Sequence, residues 1–185
     1  FRRLQSQTAR LRDQIVPEMQ QRRKAERWPR FLAWSAACAS GEEPYSLAIT
    51  LHQNLSADWA WHIQCTDISH RILQQADEGI YSHEVVARLP AEVIKKYFQQ
   101  GIGPQEGKYR VRREFHQHLT FQQLNLLETD PDQTDPFHVI FCRNVMIYFD
   151  RKTQQELVER LTKRLIPGGY LLVGHSESLT GIKHS

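Results

Sequence analysis

Two acidic side chains, Glu43 and Asp67, stand where two predicted strands give way to helices. Glu43 lies in the first turn of the helix after the strand at 31–36, and Asp67 comes at the end of the strand at 61–65. In an open α/β sheet, ligands bind beyond the carboxyl ends of the strands. We therefore expect both carboxylates at one ligand site, where they repel a pyrophosphate and suit a cationic ligand.

The loop that precedes Glu43 differs from the usual phosphate-binding loops. Residues 35–43 are mostly small, include a single glycine, Gly41, and contain no Lys-Ser/Thr pair, so they fit neither a P-loop nor a dinucleotide fingerprint. Small side chains let a ligand approach the backbone, and the following helix start offers free N–H groups. This combination favours a nucleoside without phosphates, and S-adenosylmethionine fits it through its sulfonium and ammonium charges.

Asp67 has two interpretations, which its position alone leaves open. An acid at the end of the second strand commonly accepts hydrogen bonds from a ribose diol. Alternatively, Asp67 only caps the next helix, which we predict at 69–78.

A further polar group follows the apolar strand at 137–142. Arg143, Asn144 and Tyr148 lie where this buried strand ends, which places them among the candidates for chemistry. Alternatively, Tyr148 and Phe149 are core aromatics and Arg143 is a surface charge.

Strand and helix patterns alternate along most of the chain, which predicts an α/β fold with a mostly parallel, doubly wound sheet flanked by helices. The remaining strand is predicted at 170–174. One helix is predicted to open at Gly41-Glu42-Glu43-Pro44 and run to about Leu55, and another at 151–165 is stopped by Pro167-Gly168-Gly169. Residues 4–25 resemble a polar helix that Pro17 kinks or divides.

Residues 80–120 break this alternation. A turn-rich stretch at 101–107 precedes a strand-like run at 109–113, which predicts an inserted antiparallel β-subdomain. We therefore divide the chain into an N-terminal helical or linker segment at 1–30 and a main domain at 31–185 that contains this insert.

The composition is that of a globular domain. Of the 185 residues, 40% are hydrophobic and 24% are charged, which argues against disorder. No apolar run reaches the roughly 18 residues of a membrane span, and no signal-peptide pattern opens the chain. Three widely spaced cysteines suit a reducing cytoplasm better than a disulfide framework. We expect a cytoplasmic protein with no membrane insertion and no metal site.

The net charge of +3 is unevenly distributed, because residues 1–30 carry nine Arg and Lys against three acidic residues. Such a segment meets nucleic acid, a membrane surface or an acidic partner, or it is a solvated helix face. No aromatic RNA-binding signature accompanies it, so we expect no nucleic-acid partner.

Five motifs occur in order along nearly the whole chain. They are Ala-Cys-Ala-Ser-Gly-Glu-Glu-Pro-Tyr-Ser-Leu-Ala (37–48), Thr-Asp-Ile-Ser (66–69), Asn-Leu-Leu (125–127), Phe-Cys-Arg-Asn-Val-Met-Ile-Tyr-Phe-Asp (141–150) and Gly-Gly-Tyr-Leu-Leu-Val-Gly-His-Ser-Glu-Ser-Leu (168–179). Together they closely resemble the CheR family of chemotaxis receptor glutamate methyltransferases. The resemblance implies a class I S-adenosylmethionine-dependent methyltransferase fold. It also implies methyl transfer to receptor glutamates in signal adaptation, with S-adenosylhomocysteine as the product.

The resemblance also implies roles for individual residues. Glu43 is expected to contact the methionine or nucleoside part of the cofactor, and Asp67 its ribose. Asn125 and Leu126 line the adenine pocket in this interpretation. Cys142 and Arg143 lie close by.

The candidate active-site residues are Tyr148 and an arginine near the N-terminus. The family pattern Phe-Phe-Arg corresponds to Phe1-Arg2-Arg3 here; local likeness favours Arg2, whereas spacing to Pro17 favours Arg3. The chain departs from the family in its first loop, where Ala-Cys-Ala-Ser replaces the commoner Gly-Cys-Ser-Thr. We expect a fragment trimmed at both ends, without the family's N-terminal helical domain.

The partners implied by the resemblance are the cytoplasmic helical domain of chemotaxis receptors and, through the β-subdomain, their C-terminal tail. We expect the enzyme to act as a monomer. One alternative is a methyltransferase acting on RNA or a small molecule. Another is a cofactor-binding sensor without catalysis, against which the retention of Glu43, Arg143 and Tyr148 argues.

Overall fold

The computed structural model describes residues 5–174 and residue 177. Its helices and strands follow one another in the order α1 (Gln5–Arg10), a π-helical turn (Leu11–Ile15), α2 (Val16–Glu26), β1 (Arg30–Ala36), α3 (Glu42–Asn54), β2 (Ala60–Asp67), α4 (His70–Glu78), β3 (Ile80–Ser82), α5 (His83–Val86), α6 (Ala91–Tyr97), β4 (Phe98–Gln100), β5 (Lys108–Val111), β6 (Leu119–Gln123), β7 (Phe137–Cys142), α7 (Arg151–Lys163) and β8 (Leu165–Val173). None of these helices is long and apolar enough to cross a bilayer.

Within the described part of the chain, five strands form the main sheet in the order β6-β2-β1-β7-β8. Every neighbouring pair is parallel, which confirms the predicted α/β fold. Ala36 at the end of β1 pairs with Thr66 of β2 on one side and with Cys142 of β7 on the other. The carboxyl ends of these strands therefore meet at one edge of the sheet.

Side chains alternate along each strand, so each strand contributes residues to both faces of the sheet. Helices cover both of these faces. In β1, Phe31 and Ala33 belong to a core cluster with residues of α2, α3 and α4, whereas Leu32 and Trp34 belong to a second cluster with α7. The sheet is thus doubly wound, as the sequence predicts. Each large apolar side chain buried in this way contributes about 1.5–3 kcal/mol relative to exposure.

The N-terminal helices pack onto the first of these clusters through four buried apolar residues, Leu11, Ile15, Val16 and Met19. The interruption predicted at Pro17 occurs as the π-helical turn that precedes it, where the Val16 amide bonds to the Leu11 carbonyl. A π turn before proline is a recognised way to bend a helix without leaving it.

The boundary between α7 and β8 differs from the one predicted. Helix α7 ends at Lys163 rather than 165, and β8 begins at Leu165, so Pro167-Gly168-Gly169 lies within the strand. β8 is the outer strand of the sheet, and its register against β7 shifts between Phe137 and Val139. An edge strand tolerates a proline, and a bulge absorbs the extra residues.

The insert is a three-stranded antiparallel sheet in the order β3-β5-β4, with α5 and α6 between its first two strands in the chain. Tyr97, Phe98 and Phe115 of this segment join the first core cluster. The insert was predicted to reach residue 120, but β6 begins at Leu119 and pairs with β2 in the main sheet. This strand was not predicted from the sequence.

His138 in β7 lies among aromatic rings and is 2% exposed. Its Nδ1 accepts a hydrogen bond from the Leu32 amide at 3.1 Å, and its ring stacks on Phe31 with the centroids 4.8 Å apart. Burial lowers the pKa of His138 to about 4, so the ring is neutral in the folded protein.

We expect His138 to make the folded state sensitive to acid. Its folded pKa lies below its ordinary value of 6.5, so the unfolded chain takes up a proton first as the pH falls, and stability present above about pH 6.5 is lost towards pH 4. The loss at pH 5 is about 2 kcal/mol. Urea unfolding at both pH values measures it. His138→Asn keeps an acceptor for Leu32 without titrating, and an equal pH dependence in this variant would contradict the assignment.

Candidate functional site

The loops that follow four strands are joined at the carboxyl edge of the main sheet. The Cys38 amide, after β1, bonds to the Thr66 carbonyl of β2 at 2.8 Å. The Leu124 amide, after β6, bonds to the Asp67 carbonyl at 2.9 Å. The segment after β7 joins them because the Arg143 guanidinium pairs with Glu43 at the start of α3. The predicted site residues from 43 to 148 thus occupy one edge of the fold.

The loop after β1 has a backbone that most side chains avoid. Ala37 and Ala39 have φ values of 65° and 49°, and Gly41 has a φ of 94°. Left-handed conformations cost a non-glycine residue about 1–2 kcal/mol, and such strain is concentrated at functional sites. The unusual backbone of this loop therefore marks it as a candidate part of a functional site.

Asp67 joins two loops. One carboxylate oxygen accepts a hydrogen bond from the Ala39 amide at 3.0 Å, and the other accepts one from the Ser69 amide at 3.0 Å. The N-cap of α4 is Ser69, whose hydroxyl accepts from the Ile72 amide at 3.4 Å. The interpretation of Asp67 as the helix cap is therefore wrong, and each of its oxygens retains lone pairs for a ligand.

Glu43 is buried in the first turn of α3. Its Oε1 accepts a hydrogen bond from the Ser35 hydroxyl at 2.7 Å, and its Oε2 lies 3.3 Å from Nη1 of Arg143. Burial raises the pKa of Glu43, whereas the Ser35 hydrogen bond and the Arg143 guanidinium act in the opposite direction. The Arg143 side chain is only 12% exposed, so the interpretation of this residue as a surface charge is wrong.

The buried Cys38 thiol is influenced by both acids. Burial raises the pKa of its thiol, and the nearby carboxylates of Asp67 and Glu43 raise it further. Cys142, buried at the end of β7, also has a raised pKa because of burial, followed by Glu177 and Glu43. Both thiols are thus neutral, and neither has the environment of a nucleophilic thiolate.

Asn125 and Leu126 belong to the turn that follows β6. The side-chain oxygen of Asn125 accepts a hydrogen bond from the Leu127 amide at 3.1 Å, and the main-chain carbonyl of Asn125 accepts one from the Thr129 amide at 3.0 Å. Leu126 is partly buried against the second core cluster. The turn begins one residue after the contact between Leu124 and Asp67, so both residues lie at the same edge as the two acids.

Tyr148 ends a short 3₁₀ turn, Met146–Tyr148, and is 80% exposed. The interpretation of this residue as a core aromatic is therefore wrong, whereas Phe149 does pack against the second core cluster. Arg2 and Arg3, the two candidates for the active-site arginine, lie outside the described residues.

Two polar residues that were not predicted from the sequence organise the site, Ser35 and Glu177. Ser35 is fully buried and holds Glu43. Glu177, also buried, accepts hydrogen bonds from the amides of the segment after β7. Glu177 lies in the motif at 168–179, so the sequence could identify the residue but could not indicate its contacts.

The donor set fits S-adenosylmethionine. The Asp67 carboxylate has the acceptors that a ribose diol requires, and the Glu43 carboxylate has the charge that suits a cationic group. Among residues 5–174 and 177, no group of three or more His, Cys, Asp or Glu side chains is arranged to hold a metal ion.

We expect Asp67→Ala to weaken S-adenosylhomocysteine binding by about 1.5–3 kcal/mol, because a charged acceptor for the ribose is lost. Calorimetric titration measures the change. The matched control is Ser69→Ala, which removes the helix cap at a stability cost of about 1 kcal/mol but leaves the proposed ribose acceptor in place. Unchanged affinity in Asp67→Ala would show that the ribose assignment is wrong.

Comparison with known proteins identifies the family. Residues 1–185 match the family described as "CheR methyltransferase, SAM binding domain". The chain is 44% identical over 154 residues to the chemotaxis protein methyltransferase of Escherichia coli (strain K12), covering 83% of this chain and 54% of that protein. It is 44% identical over 164 residues to chemotaxis protein methyltransferase 2 of Pseudomonas aeruginosa, covering 88% and 59%.

Similarity to solved structures is weaker. PKMT2 from Rickettsia typhi in complex with AdoHcy aligns with a TM-score of 0.47 and 14% identity, covering 78% of this chain and 21% of its own.

The chain spans little more than half the length of the curated relatives that it matches. The match along all 185 residues shows that the chain belongs to the CheR methyltransferase family and represents its S-adenosylmethionine-binding domain.

Proposed function

We propose that this chain is the catalytic domain of an enzyme that transfers a methyl group from S-adenosylmethionine to glutamate side chains of chemotaxis receptors. The observation that carries the proposal is the placement of Tyr148. It is exposed on the same short segment as Arg143, whose guanidinium pairs with Glu43 at the candidate cofactor site. Tyr148, which we assign to the methyl acceptor, thus lies five residues after Arg143, which contacts the candidate cofactor site through Glu43.

The chemistry requires positioning more than acid–base catalysis. A glutamate carboxylate has an ordinary pKa near 4.3 and is already an ionised nucleophile at neutral pH. Bound S-adenosylmethionine supplies the electrophilic methyl group on its sulfonium. The enzyme then contributes by holding the carboxylate in line with that methyl group and removing part of its hydration.

Each proposed residue contributes to that alignment. The Tyr148 hydroxyl donates a hydrogen bond to one carboxylate oxygen and leaves the other for the methyl group. Arg2 or Arg3 holds the same carboxylate through parallel hydrogen bonds, but weakly enough to preserve its nucleophilicity. Asp67 holds the ribose, Glu43 faces the cationic part of the cofactor, and the turn at 125–126, with Cys142 and Arg143, borders the adenine.

The test is incubation of the full-length protein with labelled S-adenosylmethionine and receptor cytoplasmic fragments. We expect label in the receptor that alkali releases as methanol, because methyl esters are base-labile. Cofactor binding without transfer would overturn the proposal in favour of a sensor. Transfer to RNA or a small molecule alone would indicate a different methyltransferase.

We further propose that the enzyme works as a cytoplasmic monomer on the helical domain of the receptor and that the β-subdomain docks the receptor's C-terminal tail. β3 and β4 are the outer strands of that subdomain, and an extended peptide can add to such an edge. A cavity of about 240 Å³ lies beside them, lined by Ile102 and Arg110 among others. Ile102 is 84% exposed, and Arg110 suits an acidic or terminal carboxylate.

We expect a receptor tail peptide to bind this domain and Arg110→Glu to weaken that binding. Tail docking raises the effective concentration of enzyme near its substrate without altering the chemistry, so methylation of full-length receptor falls in the variant while cofactor affinity is kept. Lys163→Glu on α7 is the matched charge control. If no binding is measurable at millimolar peptide, docking is excluded and the insert serves as a lid or a stabilising hairpin.

A further inference from the structure

The carboxylate of Glu177 is buried beyond the end of β8 and accepts four main-chain hydrogen bonds. Its Oε1 accepts from the amides of Val145 and Met146, both at 2.8 Å. Its Oε2 accepts from Asn144 at 2.9 Å and from Gly174 at 2.7 Å. Three of the four donors are consecutive, so one charged group satisfies the backbone of a whole turn.

The backbone of this turn has the shape of an anion-binding nest. Asn144 is left-handed with a φ of 57°, and Val145 follows in the right-handed helical region. Alternation of these conformations directs successive N–H groups towards one point. A buried N–H group that loses its partner costs about 1–3 kcal/mol, so this turn keeps its shape because the carboxylate fills it.

The opposite side of the turn is also held by a side chain. Nε2 of Gln154, in α7, donates to the carbonyls of Met146 at 2.9 Å and Phe149 at 3.1 Å. Tyr148 lies between these two anchors and is itself 80% exposed. Because packing restrains so little of its ring, the backbone that Glu177 and Gln154 hold determines where the phenol points.

Gly174 is adapted to the same contact. A Cβ atom at this position would lie 2.6 Å from Oε2 of Glu177 and 3.2 Å from the side-chain oxygen of Asn144. Any side chain here would displace the carboxylate from its amides. Gly174 thus provides a second way to disturb the anchor without changing the charge of Glu177.

We propose that Glu177 is a positioning residue of the methyl-transfer site. Its carboxylate fixes the segment 143–148, so that Tyr148 at one end and Arg143 at the other keep the geometry that transfer requires. The proposal rests on the proposed function, since it assigns Tyr148 to the acceptor side of the site. Glu177 itself touches neither cofactor nor acceptor in this assignment.

The test uses the full-length protein with Glu177→Gln, Glu177→Asp and Gly174→Ala. Glutamine keeps the volume but turns an amide group towards backbone donors. We expect amide hydrogen exchange at 144–146 to rise at least about tenfold in Glu177→Gln and Gly174→Ala, with core amides of α7 unchanged. We expect kcat to fall at least about tenfold, with KM for receptor and cofactor affinity within about threefold. Glu177→Asp should recover part of the rate, and Glu156→Gln, on the surface of α7, is the control.

Each other outcome decides against the proposal. Unchanged exchange at 144–146 would show that Glu177 is not the anchor. Faster exchange with normal kcat would show that the anchor does not matter for transfer. Loss of the folded core in all three variants would assign Glu177 to folding. A wild-type protein that esterifies no receptor would instead overturn the proposed function, whereas the exchange measurement would still report on the anchor.

Discussion

Tyr148→Phe is expected to lower the rate of methyl transfer roughly 10²-fold, because the carboxylate loses the hydrogen bond that aligns it with the methyl group, and a misplacement of about 1 Å has an effect of that size. The phenol is exposed at the end of the Met146–Tyr148 turn, so it is free to donate to an incoming carboxylate. Because the hydroxyl is assigned to the acceptor and not to the cofactor, the loss should occur in kcat while cofactor affinity stays unchanged. Single-turnover methylation and calorimetric titration separate the two quantities.

A second tyrosine provides the control for this prediction. The Tyr170 hydroxyl on β8 donates to Glu18 of α2, on the N-terminal side of the fold. Tyr170→Phe makes the same chemical change at a hydroxyl that bonds within the fold and is expected to keep its turnover. Normal turnover in Tyr148→Phe would remove this residue from the mechanism. A parallel loss of cofactor affinity would assign it to cofactor binding instead.

The central strands were predictable because they are buried on both faces. The apolar run at 137–142 coincides with β7, and the run at 31–36 differs from β1 by one residue. Parallel strands covered on both sides consist of nearly continuous apolar residues, which a sequence shows directly. Both core clusters draw on these two strands.

The edge strands were not predictable in the same way. β6 contains Thr120, Gln122 and Gln123 and is paired on one side only, within the described sheet. For β8, only the part from residue 170 onward was predicted, because Pro167-Gly168-Gly169 in isolation indicates a break rather than a strand. Partners distant in the chain decide both cases, since β6 pairs with β2 and β8 with β7.

The types of residue at the candidate site could be predicted, but their contacts could not. Glu43 and Asp67 were identified from their positions after strands, yet the pairing of Glu43 with Arg143 joins residues one hundred positions apart. The choice between ribose contact and helix cap for Asp67 depended on whether Ser69 was the cap. The cofactor contacts of these residues, and the choice between Arg2 and Arg3, remain predictions.

Arg143→Met is expected to lower the free energy of unfolding by about 3 kcal/mol or more at about pH 8. The ion pair with Glu43 is nearly buried, with side-chain exposures of 12% and 10%. Removing one partner of a buried pair leaves the other charge without compensation, which typically costs about 3–5 kcal/mol. Methionine keeps the unbranched aliphatic stem, so the loss reflects charge more than packing. Urea unfolding of wild type and variant measures it.

The pH dependence of that loss identifies its cause. Burial already raises the pKa of Glu43, and the Arg143 guanidinium opposes the rise, so the variant raises this pKa further. A carboxyl whose folded pKa exceeds its unfolded value favours the folded state below the unfolded pKa, and this contribution is lost as the pH rises through the folded pKa. The deficit of Arg143→Met should therefore shrink as the pH falls from about 8 to 5. The double variant Arg143→Met with Glu43→Gln should recover most of the stability at about pH 8, because neither member of the pair is then a buried charge without a partner. A deficit that is equal at both pH values and unaffected by Glu43→Gln would show that Arg143 stabilises the fold through packing and not through Glu43.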